Sequence, residues 1–328
     1  MSPRIYVSDV PSVSVISESI VTHLLASRPG QPSNFIGRYP DHFPAFVDAD
    51  TGTTITRAQF KSLVFRFGHG LTTIGAKRGD TLLVFSPNSL AYPIVVCGAI
   101  AAGIRCTLAN TAYTGRELAH QYHDSGAHLL ITTADGLPVV RDMFKSLSIS
   151  ETEGDNRIIV LSDGLSWAEG SASPSRSEIK DLLTMEELLT RGSLSREERF
   201  DGELAKSETV FLCYSSGTTG KPKGVETTHR NVVSVINMVE PTFIETAPDK
   251  DRMLAILPFY HIFGLVKSLL FTFHIGVATV IQQRFEPVQF CANVEKYKIT
   301  LALVVPPVLV LLARHEGECL PFQRYSSF

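Results

Sequence analysis

Short apolar runs alternate with longer segments of helical periodicity along most of the chain. Runs such as Thr81–Phe85 and Leu129–Thr133 have the length and composition of buried strands. Between such runs, as in Thr56–Ile74, apolar residues recur every three or four positions, which is typical of a helix with one buried face. Because strands and helices alternate at this spacing, the pattern predicts βαβ units around largely parallel sheets, and therefore an α/β fold.

The same pattern predicts the bounds of the individual elements. Thr56 and Thr228 are expected to cap the helices that follow them, and the turn Ser86–Ser89 is expected to cap a third helix. Residues 162–206 are mostly polar and are expected to form a surface excursion. The predicted strands are 45–48, 53–56, 81–85, 105–109, 129–133, 158–161, 210–214, 255–257, 278–281 and 301–304, and the predicted helices are 19–25, 56–74, 90–102, 115–126, 182–189, 229–240, 265–273, 287–297 and 306–315.

A polar turn follows the predicted strand 210–214. Residues 215–224 contain three glycines, four hydroxyl side chains and two lysines, and no carboxylate. Glycine lets backbone N–H groups approach a ligand closely, and this set of donors suits a polyanion such as a nucleotide triphosphate or pyrophosphate. Pro222 after Lys221 departs from the Walker phosphate loop, whose lysine leads into a helix. On composition alone, a mobile surface loop is the alternative.

The longer segment Thr209–Asn231, TVFLCYSSGTTGKPKGVETTHRN, closely resembles the signature loop of the adenylate-forming enzymes. These enzymes include acyl- and aryl-CoA ligases, firefly luciferase and the adenylation domains of peptide synthetases. Residues 54–89 and 98–132 resemble the same family almost element by element. The nearest group is the 4-coumarate–CoA ligase-like enzymes. The resemblance implies layered βα subdomains of the family's N-terminal domain, and places the loop between a strand and the start of a helix.

The resemblance also implies roles for individual residues. The triphosphate of ATP would be held by Ser215, Ser216, Gly217, Thr218, Thr219, Gly220 and Lys223, with Lys223 as the catalytic charge. In the segment LPFYHIFGL, His261 and Phe263 would border the carboxylate substrate, and Gly264 would leave space for it. For His261 the alternative is a hydrogen-bonded histidine at the rim of the core. Arg284 matches a basic position near the thiol cofactor, but a solvated arginine is an equally good interpretation.

A carboxylate–CoA ligase of this family uses ATP, Mg²⁺ and coenzyme A and acts on an aryl or fatty-acyl carboxylic acid. The whole chain, 1–328, is expected to be a partial N-terminal domain with subdomains of roughly 20–80 plus 228–328, and 81–227. The resemblance ends before the family's β-barrel part and C-terminal domain, where adenine, ribose, magnesium and the adenylation lysine find their partners. We therefore predict no metal ligand in this chain, and expect the chain alone to be inactive. Two hypotheses stay open: a shortened ligase, or a non-catalytic remnant that binds nucleotide weakly.

Composition narrows the class of partner. Of the 328 residues, 44% are hydrophobic, and the net charge is −3, so no basic field indicates nucleic acid. The five cysteines have no metal-ligand spacing and are expected to be reduced thiols of a cytoplasmic protein. The apolar runs 265–281 and 301–313 are too short or too interrupted to predict a membrane span. The final tripeptide Ser-Ser-Phe is not a peroxisomal signal, although full-length relatives can carry one.

Overall fold

The structure is a computed structural model that describes residues 10, 12–161, 164–169, 182–215 and 221–315. Its strands, β1–β14, are Phe35–Ile36, Tyr39–Pro40, Pro44–Asp48, Thr54–Thr56, Thr81–Phe85, Arg105–Leu108, Leu129–Thr133, Ile158–Leu161, Leu183–Thr184, Thr209–Ser215, Lys223–Thr228, Arg252–Ala255, Ala278–Ile281 and Leu301–Ala302. Its α-helices, α1–α12, are Ile20–Leu25, Arg57–Thr73, Tyr92–Ala101, Gly115–Asp124, Leu137–Ser146, Glu151–Asp155, Met185–Leu189, Glu203–Ser207, His229–Val239, Phe271–His274, Pro287–Lys296 and Pro306–Arg314. A π-helix, Gly264–Leu270, leads directly into α10.

Two larger sheets carry most of these strands. The first has the order β11-β10-β6-β5-β7-β8-β9, and the second has the order β14-β12-β13-β3-β4. Neighbouring strands are parallel throughout, except for the antiparallel pairs β10 with β11 and β3 with β4, each at one edge of its sheet. In the first sheet the chain leaves β5 for β6 on one side and reaches β7 on the other. Such a reversal of strand order opens a crevice at the carboxyl ends of the strands.

Alternate residues of each sheet face different apolar layers. In β5, Leu82 and Val84 lie in a core shared by both sheets, whereas Leu83 packs with α4 and α5 on the far side. In β12, Met253 faces the shared core and Leu254 packs with α11 and α12. The shared core also contains apolar side chains of α2, α3, α9 and the π-helix. The chain therefore folds as five layers in which helices alternate with sheets, and the predicted α/β fold with layered parallel sheets is confirmed.

Most predicted elements are present, with a few corrections. The strand predicted at 255–257 is β12, Arg252–Ala255, and the predicted helix 265–273 begins as a π-helix. Helices α5, α6 and α8 and strands β1, β2, β9 and β11 were not predicted. The division into subdomains at 20–80 plus 228–328, and 81–227, stays a prediction. Cys97, Cys106 and Cys213 are free thiols as expected, whereas Cys291 is disulfide-bonded, so the expectation of reduced thiols is wrong there.

The starts of the helices confirm the expected caps at two of three places. The side chains of Thr56 and Thr228 each accept a hydrogen bond from the third residue of the following helix, in reciprocal capping boxes with Gln59 and Asn231. Such caps satisfy N–H groups that the first helical turn leaves free. The third cap is wrong, because α3 begins after Ala91 with no side-chain cap. The polar turn before it has another role, described below.

His229, the first residue of α9, is buried, and neither of its described side-chain contacts is with an acidic group. Its Nδ1 accepts a hydrogen bond from the N–H of Ile20 at 3.2 Å, and its ring stacks on Phe200 with 4.6 Å between centroids. Burial, with a smaller effect of the Arg78 charge, lowers the pKa of His229 to about 4. The folded protein therefore holds a neutral imidazole here, and protonation of His229 at low pH disfavours the folded state.

We predict that His229 makes the fold acid-sensitive. The pKa of this group is 6.5 when unperturbed and about 4 in the folded state, so the unfolded chain takes up the proton first and stability is lost as pH falls through this window. The loss amounts to about 2–3 kcal/mol between pH 7 and pH 4.5. His229→Asn keeps an acceptor near Nδ1 but cannot gain a proton. Urea unfolding at both pH values should show a loss smaller by that amount in the variant; equal losses would contradict the assignment.

Candidate functional site

The predicted phosphate turn joins the two strands of a hairpin. Strand β10 ends at Ser215, and β11 begins at Lys223, which pairs directly with Ser215 in the antiparallel register. Ser216, Gly217, Thr218, Thr219 and Gly220 lie outside the described residues, so their predicted roles stay predictions. The helix after the turn begins at His229, as predicted, and a six-residue strand that was not predicted, β11, lies between the turn and this helix.

The limbs of this hairpin present positive charge to solvent. Ser215, Lys221 and Lys223 are all exposed. Because β10 is parallel to β6 and β5, its end at Ser215 lies on the same edge of the sheet as the ends of those strands. That edge is where open α/β sheets bind ligands. The turn and its two lysines therefore stand at the expected ligand-binding edge.

Asn88 joins this edge to the second sheet. It lies just beyond β5 and is 4% exposed. Its Nδ2 donates to the carbonyl of Leu257 at 2.9 Å, and its Oδ1 accepts from the N–H of Phe259 at 2.8 Å. Leu257 and Phe259 follow the carboxyl end of β12. One buried amide therefore holds the carboxyl edges of both sheets together. The turn Ser86–Ser89, which was expected to cap a helix, has this role instead.

The segment after β12 carries the predicted acid-binding residues. His261 and Phe263 are exposed, and Phe263 is the residue immediately before the π-helix. The Nδ1 atom of His261 accepts from the N–H of Phe263 at 3.2 Å. A neutral His261 ring therefore carries its hydrogen on Nε2, which is left to donate to another group. Inserted π-turns occur often at functional sites, since they re-aim side chains.

Close packing explains why residue 264 is a glycine. It is buried, and a Cβ atom there would lie 2.3 Å from the carbonyl oxygen of Pro258. Only glycine lets the π-helix approach the preceding turn this closely. The predicted part of Gly264 in leaving space for a substrate stays a prediction. Arg284 is exposed beyond the end of β13, and the described contacts do not bring it to His261.

Several tyrosines near the candidate site have raised pKa values. Burial raises the pKa of Tyr260, and burial is also the main cause of the raised pKa of Tyr92 and of Tyr113, to which the nearby Tyr260 phenol adds. Tyr113 in turn adds to the raised pKa of Tyr214, next to the turn. The segment that carries His261 is tied to the carboxyl edge of the first sheet by the Asn88 bridge and by the Phe259 ring, which lies 5.4 Å from the ring of Tyr92 between centroids. The hairpin that carries Lys223 stands at the same edge.

Within the described part of the chain, no three His, Cys, Asp or Glu side chains are arranged to hold a metal ion. The side chains of the described ranges therefore do not by themselves form a magnesium site. The helices in the same part of the chain include none long and apolar enough to cross a membrane.

The sequence model of the AMP-binding enzyme family matches residues 34–327. The chain belongs to this family. A 4-coumarate-CoA ligase 1 from Narcissus pseudonarcissus is 31% identical over 277 residues, which make up 84% of this chain and 46% of the relative. The resemblance to adenylate-forming enzymes of the 4-coumarate–CoA ligase type is thereby confirmed. The chain spans about half the length of the curated relatives that it matches.

Solved structures of other proteins have the same fold. The red-emitting luciferase of Phrixothrix hirtus superposes with a TM-score of 0.73 at 23% identity, over 95% of this chain and 55% of the luciferase. The o-succinylbenzoate CoA synthetase of Bacillus subtilis, solved with its acyl-adenylate intermediate, superposes with a TM-score of 0.63 at 23% identity. That superposition covers 84% of this chain and 61% of the synthetase. Family membership therefore agrees with the five-layer architecture described above.

Sequence reasoning missed Asn88 and the tyrosines. Asn88 follows a buried strand at a carboxyl end, and that position was the available signal. Its two partners, however, lie 169 and 171 residues away along the chain. Tyr113, Tyr214 and Tyr260 stand in three separate segments, and no local pattern distinguishes them from other partly buried residues.

We predict that Asn88→Ala destabilises the protein by about 2–4 kcal/mol, because it leaves a buried carbonyl and a buried N–H without partners. The amides that follow β12 should also exchange faster with deuterium. Urea unfolding and hydrogen exchange measure the two effects. Asn156→Ala, at an exposed asparagine, is the matched control and should change stability by less than about 0.5 kcal/mol. Equal stability of the two variants would show that the Asn88 bridge contributes nothing.

Proposed function

We propose that this chain carries the phosphate-binding and acid-binding parts of an ATP-dependent carboxylate–CoA ligase, which acts through an acyl-adenylate. The observation that carries the proposal is the Asn88 bridge, which holds the segment after β12 at the carboxyl edge of the first sheet, where the Lys223 hairpin also stands. Family membership and the ligases among the relatives support the same chemistry.

The phosphate side rests on charge and geometry. Lys221 and Lys223 are exposed on the turn, and the register places Lys223 opposite Ser215. A triphosphate that lies in the turn would contact the Lys223 ammonium and the Ser215 hydroxyl, together with amides of residues 216–220. In adenylation the pyrophosphate group leaves with additional charge, and a fixed cation stabilises that charge. Lys223 is the residue to which we assign this role.

The acid side rests on the segment after β12. His261 can donate from Nε2, and Phe263 offers an exposed aromatic face to an aryl or fatty-acyl group. A carboxylate held there would lie at the joined carboxyl edges of the two sheets, where the turn also stands. In the proposed reaction a carboxylate oxygen attacks the α-phosphorus of ATP and pyrophosphate leaves. A thiol, for which coenzyme A is proposed, then attacks the acyl carbon and AMP leaves. Arg284 is the candidate contact for coenzyme A.

Each group has a limited task in this scheme. The chain's own residues bind and orient the reactants, and holding them in line removes much of the barrier. Mg²⁺ is proposed to enter bound to ATP, and no step is assigned to a magnesium ligand in this chain. A cytoplasmic location also stays a proposal. We test the proposed phosphate contacts first, because they depend on one side chain, that of Lys223.

We predict that Lys223→Ala weakens the binding of ATP at least tenfold, because it removes the charged donor paired with Ser215. Isothermal titration of the chain with ATP and with inorganic pyrophosphate measures the effect. Lys221→Ala is the matched control, since it removes the same charge from the same turn, and it should change affinity by less than threefold. Equal affinities for wild type and Lys223→Ala would remove the turn from the function.

The proposed binding of a carboxylic acid is tested by an assay of catalysis. The chain can be continued after residue 315 by the downstream half of the Narcissus ligase and supplied with ATP, coenzyme A and a panel of aryl and medium-chain acids. Mass spectrometry should detect an acyl-CoA, and Lys223→Ala should lower its rate of formation at least tenfold. ATP binding without any acyl-CoA from a folded chimera would favour the other hypothesis, a nucleotide-binding module.

A further inference from the structure

Helix α4 makes two side-chain hydrogen bonds to the hairpin that carries the phosphate turn and a third to the neighbouring strand β6. The contacting residues, His120, Gln121 and Asp124, stand one and four positions apart and so occupy neighbouring positions on one side of the helix. Their partners lie on both limbs of the hairpin or on the strand beside it. No other role has been assigned to these residues above.

The connection to the returning limb is through His120. Its Nε2 lies 2.9 Å from the carbonyl oxygen of Pro222. A carbonyl only accepts, so Nε2 carries the hydrogen and donates. The carbonyl of Pro222 and the N–H of Lys223 belong to one planar peptide group. Fixing the oxygen therefore fixes the direction in which the N–H of Lys223 points, at the residue that we propose to bind phosphate.

The connection to the outgoing limb is through Asp124. The hydroxyl of Tyr214 donates to Oδ2 of Asp124 at 2.6 Å. Burial and this hydrogen bond raise the pKa of Tyr214, so its hydroxyl remains a donor at neutral pH. The rings of His120 and Tyr214 also meet edge to face, with 6.2 Å between centroids. Gly224 completes the contact, because a Cβ there would lie 3.0 Å from the Tyr214 ring.

A third connection lies beneath the other two. The buried Gln121 donates from Nε2 to the hydroxyl of Thr107 at 2.9 Å, and that hydroxyl donates to the carbonyl of Leu212 at 3.1 Å. Gln121 is 1% exposed and Thr107 is 0% exposed. This relay holds α4 against β6 and β10, so the helix is a fixed support rather than a loose neighbour of the turn.

From these contacts we propose that α4 positions the phosphate-binding turn, with His120 as the residue that orients the Pro222–Lys223 peptide and the Tyr214–Asp124 pair as its counterpart on the other limb. The inference rests on the proposed function, and it deepens it by assigning positioning residues outside the glycine-rich segment. His120 touches no reactant in this scheme. It acts on ATP only through the backbone of the turn.

The test compares four variants of the full chain. His120→Ala removes the donor, and His120→Gln keeps an N–H near the position of Nε2. Tyr214→Phe removes the hydroxyl that reaches Asp124. His123→Ala is the matched control, because His123 is an exposed histidine on the same helix. Isothermal titration with ATP and with inorganic pyrophosphate gives the affinities, and hydrogen exchange of residues 221–228 reports on the hairpin without ligand.

We expect His120→Ala and Tyr214→Phe to weaken ATP binding at least fivefold and to speed exchange in residues 221–228. His120→Gln should stay within twofold of the wild type and His123→Ala unchanged, with melting temperatures of all four within a few degrees. Rescue by glutamine is the result that a general packing role would not give.

Failure of the positioning role and failure of the proposed function would give different results. If Lys223→Ala weakens ATP binding but His120→Ala and His120→Gln bind like the wild type, the positioning role is wrong and the proposed function stands. If Lys223→Ala has no effect, or the wild type does not bind ATP, the proposed function fails first. In that case hydrogen exchange still decides the inference: unchanged exchange of residues 221–228 in His120→Ala overturns the connection itself.

Discussion

The arrangement of the site depends on the meeting of two sheets at their carboxyl ends, and one buried amide holds that meeting in place. Asn88, beyond β5 of the first sheet, hydrogen-bonds both the carbonyl of Leu257 and the N–H of Phe259, beyond β12 of the second. A shift of one sheet along the other would break both hydrogen bonds in a buried place, where unpaired polar groups are costly. The distance across the crevice is therefore set by the hydrogen bonds between a buried side chain and the backbone, rather than by exposed side chains.

Each side of the crevice has its own support. On the acid side, the Asn88 bridge and the close approach of Gly264 to Pro258 fix the segment that carries His261. On the phosphate side, α4 holds both limbs of the hairpin that carries Lys223. Asn88 and Gly264 are buried and His120 and Tyr214 are partly buried, whereas Asp124, Lys223, His261 and Phe263 are exposed. A ligand can reach these exposed side chains while the backbone that carries them is held rigidly, as a preorganised site requires.

Local pattern in the sequence was sufficient to predict most of the fold. Strands such as β5 and helices such as α2 form where the apolar period predicts them, because burial on one or both faces decides their conformation. Strand β11 escaped prediction because KGVETT is polar and is ordered by pairing with β10 alone. The strand near residue 255 was placed too late, since the apolar run continues beyond the last ladder partner at Ala255. Asn88 and His120 escaped because their partners are distant in sequence.

The central claim is that the turn between Ser215 and Lys223 binds the phosphates of ATP at a crevice shared with the His261 segment. A crystal structure of this chain soaked with ATP tests it most directly. The account predicts electron density for the triphosphate within hydrogen-bond distance of Lys223 and Ser215, with the α-phosphate directed towards the Tyr260–Phe263 segment. ATP bound elsewhere, or a turn whose amides face solvent with no phosphate beside them, would contradict it.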